Sequence, residues 1–344
     1  MVVKSEVVSN LDLLCLNSFK IKTIKVNSRV LKGNPWGDPT NRCHVMLVPN
    51  QEAPHGGYPL AVVLAGFTGN APNYMSPKAF EDNFAQVLDS CVVKGECPLA
   101  AFLLVDGFTF WGGSQFINSK GMGRYEDHLV QELLPVVFKQ FSLNRERVCV
   151  MGGSSGGYGA LHLASRYPKI FQWAGAIAPD CFFDLSLLPG IYSALPIIER
   201  WGGLKQVHRL MSQGGFHHRH ESHTVLNAVA MGFCYSPHPQ RKRDIEFPVN
   251  IKTGELIPRV WKRWQAHDPL KFLEQRQKNL CQLKGVFLDV GTEDQFHLQW
   301  GARQLREILK LYRVPHKYSE FEGNHFDIGS RRPQVWAWLK KQWG

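Results

Sequence analysis

The stretch Val148-Cys149-Val150-Met151-Gly152-Gly153-Ser154-Ser155-Gly156-Gly157-Tyr158-Gly159-Ala160-Leu161 decides how this chain is read. An apolar strand enters a cluster of small residues and leaves it as a helix. That is the pattern G-x-S-x-G at a strand-to-helix turn, where a serine sits in a strained conformation with its hydroxyl exposed. Glycines on either side remove the Cβ clashes that such a turn creates. The helix that follows aims its free N–H groups and positive dipole end at the same point.

The motif has two frames. Gly152-Gly153-Ser154-Ser155-Gly156 makes Ser154 the nucleophile, and Gly153-Ser154-Ser155-Gly156-Gly157 makes it Ser155. Ser154 is preferred, because the strand then ends at Gly152 and the second glycine pair falls in the first helical turn. A phosphate-binding P-loop needs Gly-Lys-Ser/Thr, which is absent here. A dinucleotide turn needs G-x-G-x-x-G with an acidic residue about 20 positions on, and opens a chain more naturally than its middle.

Working outward, apolar runs and helical patterns alternate. Strands are predicted at 43–48, 60–65, 100–105, 148–151, 173–178, 286–290 and 316–321. Helices are predicted at 77–88, 125–141, 155–165, 297–311 and 334–343. In 125–141 the apolar positions Leu129, Leu133, Val136, Val137 and Phe141 recur at helical spacing. Several strands are continuous apolar runs, as strands buried on both faces are. The expected class is therefore α/β, a mostly parallel central sheet with helices on both faces. The 344 residues accommodate one large domain spanning 1–344. Residues 180–269 break the alternation. They are rich in Pro, Gly, His and aromatics, and are read as a lid-like insertion over the carboxyl end of the sheet, with helices near 203–211 and 225–231.

A serine nucleophile needs a general base, and the base needs an orienting acid. On this fold the chain order is Ser, then Asp or Glu, then His. The predicted strand 286–290 ends in Gly291-Thr292-Glu293-Asp294-Gln295-Phe296, which makes Asp294 the acid, with Glu293 in reserve. The last predicted strand ends in Glu322-Gly323-Asn324-His325-Phe326-Asp327, which makes His325 the base. Alone, Asp294 reads as a helix cap and His325 as an exposed loop residue. Three such residues in order, each just past a strand, point to a catalytic triad. The oxyanion of an acyl-transfer intermediate needs two backbone N–H donors. Ser155 supplies one, and Phe67 in Leu64-Ala65-Gly66-Phe67-Thr68-Gly69-Asn70 the other.

With these residues in view, the chain resembles the esterase D-like branch of the α/β-hydrolases. That branch includes S-formylglutathione hydrolases, mycolyltransferases, feruloyl esterases and enterochelin-esterase-like proteins. Gly66-Phe67-Thr68-Gly69, Gly123-Arg124-Tyr125-Glu126-Asp127, the elbow from Gly152 to Leu161, Asp294-Gln295-Phe296 and Gly323-Asn324-His325 carry the resemblance. It runs from about Val30 onward, puts Ser154 at the nucleophile position, and implies an α/β-hydrolase fold with acyl-ester chemistry. The residues flanking the serine, Gly153 and Ser155, are smaller than those common in the family, and 180–269 matches no substrate-defined member. The expected activity is carboxylic-ester hydrolysis through an acyl-enzyme. Acyl transfer, thioester hydrolysis of the S-acylglutathione type and a non-catalytic ligand-binding role are the alternatives.

Gly66, Trp111 and Phe182 are the expected substrate-binding residues. Trp111 stands in Asp106-Gly107-Phe108-Thr109-Phe110-Trp111-Gly112-Gly113, past a strand's carboxyl end. The segment Phe216-His217-His218-Arg219-His220-Glu221-Ser222-His223 offers His-x-x-His spacings, but lacks the Glu of H-E-x-x-H and is read as a solvated or lid-lining stretch. No metal and no organic cofactor are expected. The net charge is +11, yet the cations are dispersed, and the one dense cluster, Arg241-Lys242-Arg243, is answered by Asp244 and Glu246. The expected partner is a small-molecule ester rather than nucleic acid, with homo-oligomerisation open. No apolar run approaches a membrane span and no cleavage site stands out near the N-terminus, so a cytoplasmic protein is expected. The eight cysteines form no C-x-x-C pair and are expected reduced, Cys91 and Cys97 being the pair near enough in sequence to bridge.

Overall fold

The computed structural model describes residues 6–7, 16–214 and 221–344. Its strands are β1 (Glu6–Val7), β2 (Phe19–Asn27), β3 (Asn41–Pro49), β4 (Tyr58–Leu64), β5 (Ala101–Val105), β6 (Asn118–Ser119), β7 (Gly123–Arg124), β8 (Leu143–Gly153), β9 (Trp173–Ile177), β10 (Gly285–Gly291) and β11 (His316–Phe321). Nine of them form one sheet in the order β1-β2-β3-β5-β4-β8-β9-β10-β11, and β6 pairs with β7 apart from it. From β5 to β11 every neighbouring pair is parallel, while β1, β2 and β3 join at one edge in antiparallel fashion.

The sequence explains this division. Strands β4, β5, β9 and β10 are buried along their whole length, as their unbroken apolar runs require. Alternate residues serve opposite faces. Leu60, Val62 and Leu64 enter one core, with Val150, Leu288 and the helix Ser155–Arg166. Ala61 and Val63 enter the other, with Phe102, Met151, Phe287 and the helices Phe84–Val93 and Arg332–Trp343. Because the parallel strands point the same way, the loops after β4, β8, β9, β10 and β11 meet at one edge, where ligands bind in open α/β sheets.

Two local expectations are corrected. Strand β2 lies outside the expected strands; its lysines at 20, 22 and 25 dilute the apolar signal, and pairing with β3 over nine positions defines it. The helix expected at 77–88 begins later, at Phe84. Asn83 accepts the Gln86 backbone N–H at 3.1 Å while Gln86 Oε1 accepts the Asn83 N–H at 3.0 Å, a reciprocal cap that sets the start. The helix expected at 125–141 is present as Tyr125–Asp127, a wider π-helical stretch His128–Leu133, and Leu134–Gln140.

Within 180–269 the described residues form the helices Leu188–Arg200, Leu204–Ser212, Ser222–Tyr235 and Pro258–Gln265, with a short one at Phe183–Ser186. Phe183, Tyr235 and Trp264 are buried; Phe183 and Tyr235 pack with Tyr158 of the helix after the elbow, and Trp264 packs on Tyr235. Phe216 and the histidines 217, 218 and 220 lie outside the described residues. Cys91 and Cys97 are both free and buried, and no disulfide forms among the described residues. No helix among them is long and apolar enough to cross a membrane.

Candidate active site

Strand β8 delivers Ser154 into a turn with φ 56° and ψ −125°, a conformation rare for any residue but glycine. The turn is tight against β4. A Cβ on Gly152 would lie 2.6 Å from the Leu64 carbonyl oxygen, and one on Gly156 2.3 Å from the same atom. Only glycine at both positions lets the elbow approach β4 this closely.

Ser154, His325 and Asp294, predicted from strand ends far apart in sequence, form one hydrogen-bonded line. His325 Nε2 is 2.9 Å from Ser154 Oγ, and His325 Nδ1 is 2.8 Å from Asp294 Oδ2. With Nδ1–H donating to the carboxylate, Nε2 is left to accept the serine proton. The Asp294 carboxylate is buried. Its Oδ1 accepts the Phe296 backbone N–H at 2.9 Å, and the neighbouring Gln295 Oε1 accepts the His325 backbone N–H at 3.0 Å. The Phe296 ring stands edge-on to the imidazole at 4.8 Å. One short loop after β10 therefore grips His325 three times.

The loop after β4 crosses in front of the elbow. A Cβ on Gly66 would stand 3.4 Å from the Gly153 carbonyl oxygen, so Gly66 borders the turn directly. Thr68 has φ 64°, and its N–H donates to Gly112 at 3.1 Å, which ties the loop to the one after β5. Among the described residues, neither the Phe67 nor the Ser155 backbone N–H has a protein acceptor. Both belong to residues lining one cavity of about 620 Å³ that also holds Ser154 and His325.

That cavity places the remaining expected residues. Gly66 lines it, whereas Trp111 and Phe182 do not. Trp111 is fully buried among Trp36, Phe110, His208 and Phe233. The Phe182 Cβ stands against Gly301, and its N–H is held by Asp268 at 3.0 Å. Trp111 was expected at the cavity as an aromatic past a strand's end and Phe182 as an aromatic of the insertion, and neither lines it. Leu185, Leu187, Ser193, His223 and Asn227 of the 180–269 segment line the cavity instead. His223 also meets the Phe67 ring edge-on at 6.1 Å.

The structure adds Asp180, the first residue of the 180–269 segment. It follows β9 and lines the cavity beside Ser154. Asp180 Oδ2 accepts the Ser155 hydroxyl at 2.9 Å and the Gln115 amide at 3.2 Å. Its Oδ1 stands 3.4 Å from Ser154 Oγ. Burial pushes its pKa up, against the lowering effect of Gln115, Ser155 and the nearby His325. No spacing in the sequence signals this contact; 26 residues and a crossover separate the partners.

The family described as "Putative esterase" matches residues 39–328. An S-formylglutathione hydrolase of Paracoccus denitrificans is 26% identical over 135 residues, covering 37% of this chain and 48% of that protein, so the match spans about half of the relative's length. Among solved structures, a ferulic acid esterase superposes with a TM-score of 0.59 at 16% identity, covering 94% of this chain and 98% of the other. An S-formylglutathione hydrolase from Agrobacterium tumefaciens gives 0.56 at 15% identity, covering 100% and 99%. A fluorophosphonate-binding serine hydrolase of Staphylococcus aureus gives 0.57 at 13% identity, covering 94% and 99%. At these identities the structural likeness speaks for the fold, which is that of the α/β-hydrolases. With its family match over residues 39–328, the chain belongs to the esterase family of α/β-hydrolases.

Proposed function

We propose that this protein is a serine hydrolase that cleaves carboxylic esters through an acyl-enzyme. The observation that carries the reading is the line from Ser154 Oγ to His325 Nε2 at 2.9 Å and from His325 Nδ1 to Asp294 at 2.8 Å, inside a cavity that a small ester fits. His325 takes the Ser154 proton as Oγ attacks the carbonyl carbon. Asp294 keeps the imidazole in the tautomer that accepts at Nε2 and stabilises the imidazolium that forms. The unpaired N–H groups of Phe67 and Ser155 receive the oxyanion. His325 then protonates the leaving oxygen, and the alcohol departs. Water, deprotonated by the same imidazole, attacks the acyl-enzyme and releases the acid.

In this reading residues 1–344 work as one domain, and 180–269 is a lid-like wall. The support is that Leu185, Leu187, Ser193, His223, Thr224 and Asn227 face the nucleophile across the cavity. A thioester of the S-acylglutathione type is the second substrate reading, favoured by the similarity to the Paracoccus hydrolase. Acyl transfer to an alcohol would use the same residues.

A fluorophosphonate probe and a panel of p-nitrophenyl and S-acyl thioesters test the proposal together. Covalent labelling with turnover of at least one ester class is the expected result. A folded protein that neither labels nor turns over any of them is a binding protein on a hydrolase fold.

A further inference from the structure

Asp180 sits where a carboxylate needs a reason. Its two oxygens are used unequally. Oδ2 is anchored by the Ser155 hydroxyl at 2.9 Å and the Gln115 amide at 3.2 Å. The Gln115 amide nitrogen also donates to the Tyr235 hydroxyl at 3.0 Å, so the anchor is itself held from the insertion. Gln115 is buried and has φ 53°, an unfavourable conformation kept in place by this packing. Oδ1, by contrast, has one hydrogen-bonding contact among the described residues, Ser154 Oγ at 3.4 Å, and that hydroxyl is better placed toward His325 at 2.9 Å. Once Ser154 gives its proton to His325, Oδ1 has no donor among the described residues.

The chemistry of the intermediate says what comes next to Oδ1. The tetrahedral carbon carries Ser154 Oγ, the oxyanion, the leaving oxygen and the acyl carbon. The oxyanion goes to the Phe67 and Ser155 N–H groups. The leaving oxygen goes to His325 Nε2, which must protonate it. The acyl substituent takes the direction that remains, and Asp180 Oδ1 is, beside His325 Nε2, the side-chain atom in hydrogen-bonding contact with Oγ among the described residues. A donor on the carbon next to the carbonyl would lie on the side of Oδ1, which stands 3.4 Å from the Oγ that bonds the carbonyl carbon. A plain alkyl chain in that position would cover this half-buried carboxylate oxygen without giving it a donor, which is unfavourable.

We propose that Asp180 is a specificity-determining residue that selects acyl groups bearing a hydrogen-bond donor, a hydroxyl or an ammonium, on the carbon adjacent to the scissile carbonyl. The inference rests on the ester-hydrolase reading above. A purely structural Asp180 would need Oδ2 alone, through Ser155 and Gln115, and its loss would lower turnover of all esters alike. A recognition role predicts a loss confined to donor-bearing acyl groups.

The test uses phenyl esters of propionic acid, of both enantiomers of lactic acid and of alanine. Each kcat/KM is divided by that ester's rate with hydroxide, which removes intrinsic reactivity. Wild-type protein is expected to favour a lactyl or alanyl ester over propionyl by about tenfold or more, as sites built to hydrogen-bond a substrate group do. Preference for lactyl identifies a hydroxyl as the donor, and preference for alanyl an ammonium. Asp180→Ala is expected to bring the ratio to about one. Asp180→Asn, nearly isosteric, serves if the alanine variant does not fold, and is expected to lose any alanyl preference. Equal normalised rates in the wild type, or an equal loss on all esters in the folded variants, overturn the proposal. If wild-type protein cleaves no ester and takes no phosphonate label, the hydrolase reading itself has failed, an outcome distinct from equal rates.

Discussion

The Phe296 ring meets the His325 imidazole edge-on at 4.8 Å, and the same residue's backbone N–H holds Oδ1 of the carboxylate paired with that imidazole. Phe296 thus contacts both the imidazole and the carboxylate paired with it. Edge-to-face aromatic pairs contribute about 0.5–1.5 kcal/mol beyond their area. Phe296→Leu, which keeps the backbone bond and removes the ring, is expected to lower kcat severalfold to about tenfold with fold stability little changed. Steady-state kinetics on a p-nitrophenyl ester check this; an unchanged kcat would mean the ring does not position the imidazole.

The frame of the elbow is open to direct test. Ser154→Ala is expected to reduce turnover by roughly 10,000-fold or more, in line with nucleophile removal in serine hydrolases. Ser155→Ala, which removes a hydroxyl engaged with Asp180 and leaves the backbone N–H, should retain much of the activity. Peptide mapping of the phosphonate adduct decides the matter, and an adduct on Ser155 would reverse the assignment.

Gly156 lies in the first turn of a helix, where glycine-to-alanine changes ordinarily stabilise by up to about 1 kcal/mol. Here the added Cβ would stand 2.3 Å from the Leu64 carbonyl oxygen, a backbone atom that cannot swing aside. Gly156→Ala should therefore destabilise, by roughly 2 kcal/mol or more, and displace the Ser155 N–H. A thermal melt equal to or above wild type would show that β4 yields more easily than its packing implies.

Leu185 and Leu187 line the cavity from the insertion. Truncating either to alanine should shift the preference among p-nitrophenyl acyl chain lengths by roughly 1–3 kcal/mol per methylene accommodated, while phosphonate labelling of Ser154 proceeds at a similar rate. A flat, unshifted chain-length profile in both variants would remove the lid role from this segment.

Stability should fall on mild acidification. Burial, aided by positive charge at His162, Arg276 and Arg263, holds His267 down to about 4 from an ordinary 6.5. Burial also lowers His44, His128, His162 and His208. As pH drops through 6.5 the unfolded chain takes up protons that folded His267 refuses until about 4. The unfolded state binds more protons across that window, so folding stability decreases as pH falls, by up to about 1.4 kcal/mol per pH unit for each such group. Melting temperatures at pH 7, 6 and 5 should descend, and His267→Phe, which keeps the ring stacked on Tyr235 at 4.9 Å, should flatten the descent. A melting temperature independent of pH over this range would contradict the burial of these imidazoles.

What the sequence alone determined was local chemistry tied to strand ends. The glycine-serine cluster at 152–157 has one comfortable backbone solution, and Asp294 and His325 each follow an apolar run by a few residues. Parallel strands carry all such ends to one edge of the sheet, so chain order was enough to assemble Ser154, Asp294 and His325 before any contact was seen. Strand β2 escaped that logic because its alternating lysines give no buried run; its place comes from nine paired residues of β3. Trp111 and Phe182 escaped it because a ring's direction depends on what already fills the space around it. Asp180 is the clearest case. Whether a carboxylate after β9 faces solvent or Ser154 depends on Gln115, which reaches it from a different loop with a backbone angle no sequence pattern encodes. Local propensity places strand ends, but which side chains meet across them depends on packing from distant segments, and only the folded chain has that information.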